Sequence, residues 1–90
     1  MAQRHKSAIK RHRQSVKRAA RNHIVQTHVR HAVRELREII ARKDEAAAST
    51  KLRAVVATVD KAVTKGVLHR NNASRRVSRL SRQVAGLKAS

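Results

Sequence analysis

The chain has 90 residues and carries 23 Lys plus Arg against 5 Asp plus Glu, a formal charge of +18. It contains no Cys, Phe, Trp or Tyr, which excludes disulfides, cysteine-based zinc sites and thiol chemistry, and removes the aromatic platforms on which unpaired bases stack. Such a length holds one small domain, no apolar run approaches the ~20 residues of a membrane span, and a chain this cationic repels itself until a polyanion offsets the charge.

The start, Met1 to Ala8, lacks the hydrophobic segment of a secretory signal. It is basic and acid-free, which loosely mimics an organelle transit peptide, but the basic character does not stop where a presequence would. With no Pro and only Gly66 and Gly86, nothing interrupts a long helix. The first predicted helix runs from Ser7 to Arg42, about 36 residues or about 54 Å at 1.5 Å per residue. Its apolar residues Val25, Val29, Ala32, Val33, Leu36, Ile39 and Ile40 recur in steps of three and four and form one stripe. Arg34, Glu38 and Arg42 at four-residue spacing add surface ion-pair support.

Continued toward the N-terminus, that same helical face carries Arg11, Ser15, Arg18 and Arg21, whereas Ile9, Val16 and Ala20 fall roughly on the other side. The core face therefore becomes a cationic face near Asn22. No carboxylate precedes Glu35, so the face is not the mixed-sign surface of an ordinary solvated helix. The expected organisation is a single polyanion-binding helical domain over residues 1–90, with 1–22 a basic extension of the first helix and 23–87 a bundle. Without apolar support, Met1–Asn22 is expected to be disordered in the free protein and helical on its partner.

Asp44 reads as the N-cap of a second helix, with Glu45 in its first turn. Leu52, Val55, Val56, Val59, Ala62 and Val63 make its stripe, and Gly66 is placed to end it in a left-handed C′ position. A third helix carries Ala73, Val77, Leu80, Val84 and Leu87, with Arg75, Arg79 and Arg82 on the opposite side as a row of guanidinium forks suited to phosphates. No strand alternation is present. The fold class is all-α, a three-helix up-down-up bundle whose long first helix projects beyond it. Because the third helix starts where the second ends, Arg70, Arg75 and Arg76 are expected close to Arg18 and Arg21, forming one surface.

Six His residues match no zinc spacing, so no metal is expected, and partly charged His beside phosphates fits better. There is no glycine-rich phosphate loop or apolar-flanked carboxylate pair, and a bundle this small lacks a sizeable pocket. No enzyme activity, cofactor or small-molecule substrate is expected. The N-terminal helix lacks the broad apolar face and the Trp or Phe of a membrane-surface helix, and its cations spread over more than half the wheel, as suits a groove between phosphate chains.

Two stretches carry a resemblance. The first is Lys6-Ser7-Ala8-Ile9-Lys10-Arg11-His12-Arg13-Gln14-Ser15-Val16-Lys17-Arg18, followed by Arg21-Asn22. The second runs from Asp60 to Leu80 and contains the turn Lys65-Gly66-Val67-Leu68-His69-Arg70-Asn71 leading into an Arg-rich helix. In order and spacing over nearly the whole chain, the sequence resembles the S-twenty proteins of the bacterial small ribosomal subunit. The resemblance implies a cytoplasmic, ribosome-bound protein that binds 16S ribosomal RNA directly, in its 5′ domain and at the long penultimate helix. It also implies contacts from Lys6, Ser7, Lys10, Arg11, Arg13, Gln14, Ser15, Lys17, Arg18, Arg21 and Asn22 on the first helix. Later in the chain it implies Lys61, Lys65, His69, Arg70, Asn71, Arg75, Arg76 and Arg79, to which the arginine row adds Arg82. One departure is Lys43, which stands where the family commonly has Gly before the Asp. A left-handed cap there disfavours a non-Gly residue by roughly 1 kcal/mol, so the turn either takes another shape or ends the first helix differently. The main rival function is a histone-like DNA-compacting protein, which shares the charge but usually offers apolar wedges or dimer symmetry. A third reading, a module for acidic proteins, would keep its partner after nuclease treatment.

Overall fold

Three helices, α1 (Ala2–Ala41), α2 (Glu45–Thr64) and α3 (Arg70–Ala89), follow one another through short turns in up-down-up order. The computed structural model describes the backbone from Ala2 to Ala89 and the side chains from Ser7 to Lys88. The expectations attached to Met1 and to the Lys6 side chain lie outside these described residues. No strand occurs among them. The radius of gyration is 18.3 Å, against about 12 Å for a compact domain of this length. The molecule is a rod of 68 × 21 × 14 Å.

The three apolar stripes meet in one core. Val25, Val29, Val33 and Leu36 of α1 bury against Ala48, Val55, Val59 and Ala62 of α2 and Ala73, Leu80 and Val84 of α3. Leu36, Val55 and Val59 are fully buried, each contributing about 1.5–3 kcal/mol relative to exposure. The first buried side chain of α1 is Val25; every described side chain from Ser7 to Arg21 is exposed. Averaged over its whole length α1 has almost no apolar side. The face of its core stripe carries Arg11 and Arg18 in the outer half, and the exposed Ile9 and Val16 point the opposite way, so the stripe is offset over the full length. The helix is thus continuous in backbone but divided in what supports it.

The turns follow from local chemistry. Asp44 caps α2: its backbone is extended (φ −88°, ψ 91°) and its carboxylate accepts from the Ala47 N–H. At the other end Gly66 takes φ +76°. Its N–H donates to Val63 O (2.9 Å) and the Val67 N–H donates to Ala62 O (2.9 Å), the paired bonds of a Schellman motif. Between α1 and α2, Lys43 adopts φ +59° and donates its N–H to Ile40 O at 2.9 Å. The turn therefore keeps the left-handed shape that glycine would take, with a lysine in it.

Packing among the helices is uneven. α1 and α3 each lie along α2 but touch each other little. The bundle opens along one side, and that opening shapes the basic surface.

Candidate nucleic-acid interface

The cations divide among four places rather than one. The first is the outer half of α1. Arg11, Gln14, Ser15, Arg18 and Asn22, in steps of three and four, line a shallow depression along α1 alone. Ser7 continues the same face one turn earlier, Lys10, Lys17 and Arg21 flank it, and Arg13 lies further round. No carboxylate lies within this half of the helix, so its charge has no local compensation; the first acids of α1, Glu35 and Glu38, lie in the bundle half.

The second place is the open side between α1 and α3. Arg75, Arg76 and Arg79 meet Arg30, Arg34 and Arg37 across an open cleft of about 920 Å³, which corrects the expectation that so small a bundle has no sizeable pocket. The Arg76 Nε donates to the Asn72 side-chain oxygen at 2.9 Å, which orients the guanidinium. The third place is the groove between α1 and α2, where Lys61 and Lys65 sit with His28, His31, Glu35 and Lys51. Here the Lys51 ammonium bonds the Glu35 carboxylate. That hydrogen bond and the ammonium's charge hold the Glu35 carboxyl below the ordinary carboxylate range, with a smaller effect from His31. The fourth is the shallow α2–α3 groove, which takes Arg70 beside Val63 and Ala73. Asn71 and Arg82 are exposed.

This corrects one expectation. Arg70, Arg75 and Arg76 do not join Arg18 and Arg21 in one surface. Arg76 lies instead beside Gln26, Val29 and Arg30, about two turns further along α1, roughly 12 Å at 1.5 Å per residue. The connection Lys65–His69 consumes length before α3 begins, so α3 starts level with the bundle rather than with the projecting helix. Arg70 points away on the other side of α3.

Sequence reasoning missed Arg30, Arg34 and Arg37. Their spacing of four and three, flanking the Val29–Leu36 stripe, was the available signal. It also missed what His69 does: its Nδ1 accepts the Asn71 N–H at 3.1 Å, capping α3. Among the described residues no helix is long and apolar enough to cross a membrane, and no group of three or more His, Asp or Glu side chains is gathered as a metal site would require.

The fold is a rod-shaped helical bundle whose first helix has an unsupported basic half and whose open side is lined with arginines, a surface of the class that faces polyanions. Residues 3–85 match the model of the family described as Ribosomal protein S20, and the chain belongs to that family. Among its relatives is a protein named "Small ribosomal subunit protein bS20" in Oleidesulfovibrio alaskensis, 51% identical over 83 residues, covering 92% of this chain and 95% of the relative. Proteins of the same name occur in Maridesulfovibrio salexigens, 49% identical over 80 residues (89% of this chain, 92% of the relative), and in an Anaeromyxobacter species, 52% identical over 79 residues (88% and 87%).

Proposed function

We propose that this chain is a structural component of the small ribosomal subunit, ribosome-bound in the cytoplasm, that binds 16S ribosomal RNA directly and holds RNA helices in fixed relation during assembly. Family membership supports the first part. One observation carries the second: the described side chains from Ser7 to Arg21 are all exposed, on the half of α1 that has no acid to balance its cations and no core to lie against. Such a helix gains nothing from its own molecule and much from phosphates.

The reading assigns no chemistry to the chain. Ser7, Lys10, Arg11, Arg13, Gln14, Ser15, Lys17, Arg18, Arg21 and Asn22, with Lys6, form the contact along the first helix. Arg75, Arg76 and Arg79 act from α3, with Lys61, Lys65, His69, Arg70, Asn71 and Arg82 around the bundle. Arg forks bond phosphate bidentately, and an A-form groove offers such a surface little base readout, so selectivity comes from RNA shape. Neutralising the charge of two RNA helices between them lets the helices approach.

The test is a competition between folded 16S RNA and duplex DNA at moderate salt, repeated over a salt series. Preference for the folded RNA is expected, with affinity falling roughly a thousandfold between 50 and 200 mM salt if about six phosphates are neutralised. Equal affinity for duplex DNA, or binding indifferent to salt, would refute it.

A further inference from the structure

We infer that the groove between α1 and α2 is a proton-linked anion site, in which His28 and His31 of α1 join Lys61 and Lys65 of α2 around one phosphate group and its binding draws protons onto the imidazoles. The two histidines have no part in the RNA contact proposed above. The inference rests on that reading only where the phosphate belongs to RNA.

Register brings the four side chains together. α1 and α2 run antiparallel, and the Lys51 ammonium bonds the Glu35 carboxylate between them. His28, seven residues before Glu35, then falls opposite Thr58, seven after Lys51. Val25, ten before, falls opposite Lys61, ten after. Lys61 therefore lies within one turn of His28, and Lys65 stands one turn beyond it. His28 and His31 are about 4.5 Å apart along α1 at 1.5 Å per residue. All four side chains are exposed, around an open groove of about 410 Å³ that Val25 and Ala32 also line. The Thr58 hydroxyl gives its hydrogen to Ala54 O at 3.0 Å. The donors left for an anion are thus imidazole and ammonium groups.

The charges choose an anion over a metal ion. Among the described residues Glu35 is the one carboxylate that lines the groove, and Lys51 already holds it. A metal ion would meet the Lys61 and Lys65 ammonium groups. Asp60, next to Lys61 in sequence, lines the α2–α3 groove instead, and α3 contributes no residue here. With neutral imidazoles the lining carries a formal charge of +2, and with both protonated +4.

Imidazole is the side chain whose charge ordinarily changes between about pH 5 and 8. An anion beside it favours the charged form. Anion occupancy and protonation therefore strengthen each other by the same factor, as linkage requires. The sign follows: the groove holds a phosphate more tightly as pH falls, because each proton gained adds a cation next to the bound charge.

The test uses the full chain with two phosphate sources, inorganic tripolyphosphate and 16S RNA. In magnetic resonance spectra the ring signals of His28 and His31 should move on adding tripolyphosphate. Relative to His28→Gln with His31→Gln, wild-type affinity for tripolyphosphate should gain about tenfold between about pH 8 and 5.5. The ligand's own titration is common to both chains and cancels. Calorimetry of 16S RNA binding in two buffers of different ionisation enthalpy should show about one proton fewer taken up by that variant. A response to tripolyphosphate alone supports the site and assigns it to a free phosphate compound. Proton uptake with RNA alone supports it and assigns the phosphate to the RNA backbone. Neither response overturns the inference, and so do ring signals that respond as in wild type after Lys61→Gln with Lys65→Gln. The wild-type ring signals do not depend on any variant folding. Salt-dependent RNA binding without either response leaves the RNA-binding reading standing, whereas a chain that ignores 16S RNA sinks that reading and leaves tripolyphosphate to decide this one.

Discussion

The backbone N–H of Asn71 donates to the imidazole Nδ1 of His69 at 3.1 Å, so the residue before α3 caps it with a ring nitrogen. Only a neutral imidazole protonated on Nε2 can accept at Nδ1. The bond thus sets which tautomer stands at the turn and leaves the Nε2 hydrogen to donate outward. Replacement by Ala should cost about 1 kcal/mol, while Asn, a good cap, should stay within a few tenths of the wild type. Urea denaturation followed by helical ellipticity measures both. Equal loss in both variants would show that ring packing, not capping, is what His69 supplies.

Lys43 and Gly66 end their helices with the same backbone sign, φ +59° and φ +76°, but only one of them suits it. Lys43→Gly should raise stability by a few tenths to about 1 kcal/mol, the relief of left-handed strain less the unfolded-state freedom gained. Gly66→Ala should lower it by about 1 kcal/mol, although the added methyl meets nothing within 4 Å. Thermal melts of the two variants should move in opposite directions.

Leu36 and Val16 lie on one helix with opposite surroundings. Leu36 is fully buried and Val16 is 55% exposed. Leu36→Ala should cost about 2–5 kcal/mol, enough to unfold a bundle that holds only about 3–5 kcal/mol in reserve. Val16→Ala should leave the melting temperature unchanged. A stability loss at Val16 would mean that the projecting half packs on something of its own chain.

The Glu35 carboxyl, held below its ordinary range by Lys51, ties stability to pH. A group depressed in the folded state contributes stability that is present above its unfolded value and lost as pH falls through the folded one. The melting-temperature difference between wild type and Glu35→Gln should therefore be present at neutral pH and vanish as pH drops through and below about 4. Both groups are solvent-accessible, so the difference should be small and shrink with added salt. A difference that persists in acid would assign the effect to something other than the ion pair.

Much of this architecture was readable before any coordinates. Val25–Ile40, Leu52–Val63 and Ala73–Leu87 repeat at helical spacing because each must bury one face, and all three stripes lie in or against the core except Val56, which lines the α2–α3 groove. Asp44 and Gly66 were legible because a cap needs a short acceptor and a left-handed residue favours the absence of Cβ. The cleft was not legible. It depends on how far α3 leans on α2 and away from α1, a packing outcome of three helices that no single periodicity encodes. Arg30, Arg34 and Arg37 looked like ordinary surface positions until α3 brought its own arginines opposite them. The capping role of His69 was hidden because histidine is an uncommon cap, and its basic character pointed to phosphate instead.

The outer half of α1 has intrahelical bonds, no core contact and like charges one turn apart, such as Arg13 with Lys17 and Lys17 with Arg21. Pairs of that kind cost a helix about 0.2–0.5 kcal/mol each, and an isolated helix of this length is marginal even without them. The most direct measurement is amide hydrogen exchange at Ala8–Asn22 in the free chain and on 16S RNA, with Val29–Leu36 as the internal standard. The account predicts rapid exchange in that segment when free, and protection there once the RNA is bound. Protection in the free chain equal to that of Val29–Leu36, unchanged by RNA, would contradict it.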